Sequence, residues 1–251
     1  MKKAILAIGL ALVAVGAKAQ DNNIFNNFSL GVGVGTTGIS LEAAAPVTDY
    51  VAVRAGIDIV PQIKYGTSVD LNVPSMKPVG YDIPNSLDVE GKLTLTQGKF
   101  LVDAYPFKQS SFHFTAGAFF AGKEVVSVYN EKDGVLKDVT RFNNEHKDNP
   151  IGAKLGDYLL TPDKDGNVKG TFEVGGFRPY LGLGFGRAVP KKHRFGCTVD
   201  AGVIFWGSPK IMNEGNELSK EDLDGGGSFL KTMTKLTVYP CVSVKFVGRI
   251  L

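Results

Sequence analysis

His113 and Asp103 are the base–acid pair this sequence offers most readily. They flank a short connection at 107–111, and a hairpin register that sets Asp103 opposite His113 would let the carboxylate orient the imidazole, half of what activates a nucleophile. The pair falls beside a short turn, however, and no serine is aligned with it. His146 lies in a charged stretch, and His193 sits within Lys191-Lys192-His193-Arg194. A metal needs three or four converging ligands, and no spacing of the histidines and cysteines supplies them. Asp163-Lys164-Asp165-Gly166-Asn167 has the beginning of a calcium loop, but its twelfth position is Val174, which cannot coordinate. A turn is the simpler reading. Gly182, Gly184 and Gly186 alternate with Leu and Phe and precede no helical pattern, so they are strand glycines and not a phosphate loop. The expectation is no catalytic residue, no metal and no cofactor: the chain is not an enzyme.

The elements that position these residues read as strands. Apolar side chains recur at every second position in Phe28–Val34, Ile39–Ala45, Val51–Ile59, Phe100–Ala104, Phe112–Phe120, Phe177–Phe185, Phe195–Phe205 and Leu236–Phe246. Between the first two, Gly35-Thr36-Thr37-Gly38 flips the parity, as a tight turn does. The opposite faces carry Gly, Thr and charge. Most of these segments match the ~9–11 residues that a tilted strand needs to cross a bilayer. Short connections at 46–49, 107–111 and 190–193 alternate with long ones at 61–88, 129–170 and 207–230. The fold class expected is all-β: an eight-stranded antiparallel transmembrane β-barrel with short periplasmic turns and long extracellular loops. The runner-up is a secreted β-sandwich that uses the same apolar faces as its core.

In such a barrel the non-apolar face points inward. It carries Glu42, Arg54, Asp58, Asp103, His113, Arg178, Arg194 and Asp200, the predicted polar network of the lumen. Around the 46–49 turn, Glu42 is expected directly opposite Arg54, since opposite charges across a strand pair are favourable and either one buried alone would cost several kcal/mol. Eight strands enclose a space that side chains can fill, so no wide pore is expected. Cys197 should face lipid and Cys241 the lumen, on opposite sides of the wall and beyond disulfide reach. Pro179 and Pro240 face outward and should lie near strand ends. Tyr50, Tyr105, Phe107 and Phe112 gather near the short turns as a candidate aromatic girdle. Asn216–Leu223 could form a short helix that Gly225-Gly226-Gly227 stops.

Residues 1–19 read as a cleaved secretory signal peptide: basic Lys2 and Lys3, an apolar run from Ala4 to Gly16, then Ala17-Lys18-Ala19. Cleavage between Ala19 and Gln20 leaves the barrel as 20–251. No other apolar run is long enough for a spanning helix. The formal charge of +3 disappears with Lys2, Lys3 and Lys18, so the mature chain is neutral and lacks the basic surface of a nucleic-acid binder.

Phe100-Leu-Val-Asp-Ala-Tyr-Pro-Phe107, Arg178-Pro-Tyr-Leu-Gly-Leu-Gly-Phe-Gly186 and Phe205-Trp-Gly-Ser-Pro-Lys210 resemble segments of an uncharacterised family of Gram-negative outer-membrane barrels common in Bacteroidetes. More loosely the chain is similar to eight-stranded OmpA-type and OmpW-type barrels. The resemblance spans the mature chain and implies a fold and a location, the outer membrane, but no catalytic residue. The alternating series departs from the usual barrel ending by stopping at Phe246, before the terminus. The partners expected are outer-membrane lipid and lipopolysaccharide, the barrel-assembly machinery during biogenesis, and an extracellular ligand met through 61–88, 129–170 and 207–230. The function expected is a structural or surface-interaction barrel. The alternatives are a conduit for small molecules and, less favoured, a lipid-modifying enzyme.

Overall fold

The computed structural model describes residues 27–76, 78–218 and 236–250. The expected signal peptide, with Ala19 and Gln20, lies outside these residues. Strands β1 (Ser29–Gly35), β2 (Gly38–Pro46), β3 (Val51–Asp70), β4 (Ser86–Ala104), β5 (Phe112–Ala121), β10 (Phe177–Phe185), β11 (Phe195–Phe205) and β14 (Val238–Arg249) pair antiparallel in that order. Pairing of β14 with β1, Val32 beside Phe246, closes the ring. The result is an eight-stranded barrel, and closure of the ring by β14 and β1 excludes the sandwich, which is two separate sheets packed face to face. The alternation dictates its polarity. Leu30, Val34, Leu41, Ile57, Leu181, Phe185, Phe195, Val244 and Phe246 stand exposed on the outside, while Arg54, Asp103, His113, Arg178 and Lys245 are buried inside.

Gly35 pairs with Gly38 across Thr36-Thr37, the tight turn expected, and Gly38 takes φ +99° there. Pro179 and Pro240 are exposed, each the third residue of its strand.

All three stretches expected to be long loops carry regular structure. β3 runs on to Asp70 and β4 begins at Ser86, so the β3–β4 ribbon continues far past the barrel wall with a bulge between Val60 and Ile63. Pro61 sits at that bulge, where a missing ladder donor is tolerated. β4 is shared: Gln97–Ala104 pairs with β5, whereas Val89–Leu93 pairs with β6 (Glu124–Asn130). From β6 the sheet continues through β9 (Lys169–Glu173) and β12 (Lys210–Asn213) to β13 (Asn216–Glu217). Asn216 and Glu217 are therefore strand and not the start of a helix, and residues from 219 to 235 lie outside the described ones.

Against this extension packs helix α1 (Lys137–Glu145), with a small hairpin, β7 (Ala153–Leu155) and β8 (Tyr158–Leu160). α1 buries Val139 and Phe142, three residues apart and so on one face. They join Leu71, Leu87, Val89, Leu136, Ile151 and Leu160 in an apolar core distinct from the barrel interior. Asp163 and Asn167 act as turn residues. Asp163 Oδ1 accepts from the Asp165 and Asn167 amides, each at 2.8 Å. Asn167 Oδ1 accepts from Asn130 Nδ2 at 2.9 Å and from the Gly134 amide at 2.7 Å.

Candidate functional site

The barrel interior holds a continuous lattice of charge. Arg54 is its hub. Its guanidinium donates to Asp103 Oδ1 at 2.8 Å, to Asp200 Oδ2 at 3.1 Å and to Glu42 Oε1 at 3.3 Å. Lys245 bridges Glu42 at 3.1 Å and Asp200 at 2.9 Å. Lys99 bridges Glu42 at 2.9 Å and Asp58 at 2.8 Å. Glu42, Lys245, Asp200 and Arg54 thus form a closed cycle of alternating sign, which Lys99 extends to Asp58. Hydroxyls complete it: Ser40 accepts from Lys99 at 2.7 Å, Thr37 donates to Asp58 at 2.7 Å and Thr115 donates to Asp103 at 2.8 Å. Ions this deeply buried persist only when each meets opposite charge and hydrogen bonds.

Glu42, Arg54, Asp58, Asp103, His113 and Asp200 are all buried on the inner face, but both expected cross-strand pairings, Glu42 with Arg54 and Asp103 with His113, differ in register. Arg54 lies opposite Ala44, and Glu42 opposite Gly56. Asp103 lies opposite Thr115. Both hairpins are displaced by two residues from the register expected. A shift of two keeps every side chain on its face, so burial is unchanged while partners change. Arg54 still reaches Glu42, diagonally. His113 does not meet Asp103; its Nε2 lies 2.9 Å from Asp200 Oδ1 and its Nδ1 3.2 Å from the Ser111 carbonyl. Both ring nitrogens face acceptors, leaving no free base to activate a nucleophile.

Arg178 is buried but apart from the carboxylates. It donates to the carbonyls of Gly175 and Gly122 at 2.7 and 2.8 Å and to Gln97 Oε1 at 3.2 Å. Arg194 is a correction: it is exposed in the turn before β11, where the alternation no longer governs orientation. Tyr105 is another. It is buried under Ala188 and Val189, accepts from the Ala188 amide at 3.1 Å, and does not join Tyr50 and Phe107 at the exposed rim. Lys99 and Lys245, which sequence reasoning missed, were signalled by parity, since each alternates with the outward Phe100 and Phe246.

The interior is not polar throughout. Leu101, Phe119, Tyr180, Ile204 and Cys241 form an apolar cluster beside the charged lattice. Glycines admit the larger groups: a Cβ on Gly184 would lie 2.6 Å from His113 Nε2 and 2.7 Å from Asp200 Oδ1. What space remains among Arg54, Asp58, Lys99, Asp200 and Lys245 is about 20 Å³, room for one water-sized molecule. Cys197 is exposed, Cys241 is buried, and both are free.

No protein-family model and no curated protein matches the chain. Among solved structures it is similar to CarO2 and CarO of Acinetobacter baumannii, at 15% and 16% identity with TM-scores of 0.49 and 0.45. The alignments cover 91% and 88% of this chain and 100% and 96% of theirs. Identity this low carries no residue role across, and the barrel described above rests on its own strand pairing. Among the described residues no group of His, Cys, Asp and Glu could hold a metal ion. Among the described residues no helix is long and apolar enough to cross a membrane, which says nothing against crossing by strands.

At the short-turn end the electrostatics are simpler. Asp49 accepts from Lys108 at 2.6 Å and from Lys191 at 2.8 Å. Those two hydrogen bonds hold its carboxyl down at about 2, well below the usual carboxylate range. Arg187 lies over the Tyr105 ring at 4.5 Å and donates to the Lys108 and Ser110 carbonyls at 2.5 and 2.9 Å, tying the turns together.

Proposed function

We infer that this chain is an integral outer-membrane barrel of structural or surface-interaction type, with a filled interior and a folded outer cap. The observation that carries this reading is the inverted distribution of polarity. Charge is buried inside the ring, and exposed apolar side chains cover its outside on seven of the eight strands, with half-exposed Phe100 and Val102 on β4. Isolated exposed apolar residues are ordinary, but a continuous belt is a surface made for another apolar phase. A closed barrel is also the one sheet that leaves no unpaired edge inside lipid. The short turns face the periplasm, and the β3–β4 extension with α1 stands outside. The signal-peptide pattern of residues 1–19 supports export.

The test is the electrophoretic mobility of the protein in isolated outer membranes, with and without boiling, combined with salt extraction. A compact form that shifts on boiling and resists extraction is expected. Release into the soluble fraction without a shift would overturn the reading.

A further inference from the structure

The two ends of the barrel differ in charge. At the short-turn end Lys108, Arg187, Lys191, Lys192, Arg194 and Arg249 are accompanied by one acid among the described residues, Asp49. Beyond the other end, in 61–96, 122–176 and 207–217, acidic residues outnumber basic ones. Asp49 is shared between Lys108 and Lys191. Arg187 and Arg249 spend their donors on backbone carbonyls, of Lys108 and Ser110 for one and of Pro190 and Lys191 for the other. Neither meets a carboxylate side chain among the described residues. Lys192 and Arg194 are exposed and meet no carboxylate among the described residues.

This basic collar borders a groove of about 670 Å³, whose lining includes Lys108, Arg187, Lys191 and Lys192, the carboxylate of Asp49 that Lys108 and Lys191 share, and the rings of Phe185 and Phe195. Phe185 is 66% and Phe195 67% exposed, and both continue the outward apolar belt at the ends of β10 and β11. Cations and outward aromatic rings that line one groove match one kind of occupant: an amphiphile with an anionic phosphate head and acyl chains. The geometry points to the groove as a seat for an anionic phospholipid of the inner leaflet, its phosphate against Lys192 and its neighbours and its chains along Phe185 and Phe195.

This inference rests on the membrane-barrel reading above, and its test separates the two. The full mature protein is reconstituted in vesicles of phosphatidylglycerol mixed with phosphatidylcholine, and the lipids it retains on release are counted by native mass spectrometry. Phosphatidylglycerol should be retained in preference. Each basic side chain near an anionic surface is worth roughly a 5-fold effect, so the Lys192→Gln/Arg194→Gln double variant should lose most of that preference. Lys64→Gln/Lys154→Gln, at the far end, should leave it intact. Equal retention of the two lipids, or an undiminished preference in the double variant, overturns the site while leaving the barrel standing. Displacement of the lipid by millimolar inorganic phosphate would assign the groove to a free anion and overturn the lipid. Failure of the protein to embed in vesicles at all overturns the barrel reading, and this inference with it.

Discussion

Arg54 shows how much of the interior depends on one planar cation. Its fork serves Asp103, Asp200 and Glu42 together. Lys99 and Lys245 also reach Glu42 and Asp200, but Asp103 has Arg54 as its sole cationic partner among the described residues. Arg54→Met should therefore cost about 3–5 kcal/mol, the penalty of a buried charge left alone, read as a lower urea midpoint in detergent micelles. Adding Asp103→Asn should recover part of the loss, since the two residues couple. Arg54→Lys should not, because one ammonium cannot reproduce the fork. Asp49 allows a separate check. Its folded pKa of about 2 lies below the ordinary 3.8, so its pairs with Lys108 and Lys191 are fully present above the ordinary value and are lost as pH falls through about 2. Carbon-detected NMR of the Asp49 carboxyl should give that midpoint, and Lys108→Gln with Lys191→Gln should return it toward 3.8. Parity made the inward residues legible in the sequence. Their partners were not legible, because each hairpin's true register differs by two residues, a change that alternation cannot detect.

At the scale of elements, the sequence is transparent where strands have one apolar face and opaque where they do not. The eight barrel strands follow from alternation because the outside and the interior of the ring impose opposite chemistry on successive residues. The outer cap lacks that contrast. α1 buries only Val139 and Phe142, too few apolar positions to give a helical period over nine residues. The far half of β3 is exposed on both faces from Pro61 to Ser68, so it reads as a loop. What holds the cap is tertiary. Leu136 and Val139 are fully buried, the Phe142 ring meets Tyr81 edge-on at 5.4 Å, and the Tyr81 hydroxyl donates to Glu145 at 2.6 Å. Because this core shares no residue with the barrel interior, the two should fail separately. Leu136→Ala should destabilise the cap by about 2–5 kcal/mol. Limited proteolysis should then cut within 129–170, while the boiling-dependent mobility shift stays unchanged. Loss of that shift would show that cap and barrel fold as one unit.

For the whole molecule, the proposed plugged barrel and the conduit make opposite predictions. An eight-stranded ring has a lumen that side chains can just occupy, and here Arg54, Lys99 and Lys245 lie across it, each bonded to acids on more than one strand. Leu101, Phe119, Tyr180, Ile204 and Cys241 close the remaining sector. An ion that passed would have to break several charge pairs at once, each in a low-dielectric site where the pairs are stronger than in water. The purified protein in planar bilayers should therefore show no steady current across neutral pH, under conditions where an open porin conducts. Raising salt should not open it, because screening reaches exposed charges far more than buried ones. A stable unitary current in the wild-type protein would mean that the charged lattice parts in the membrane, and would restore the conduit as the better account of the barrel.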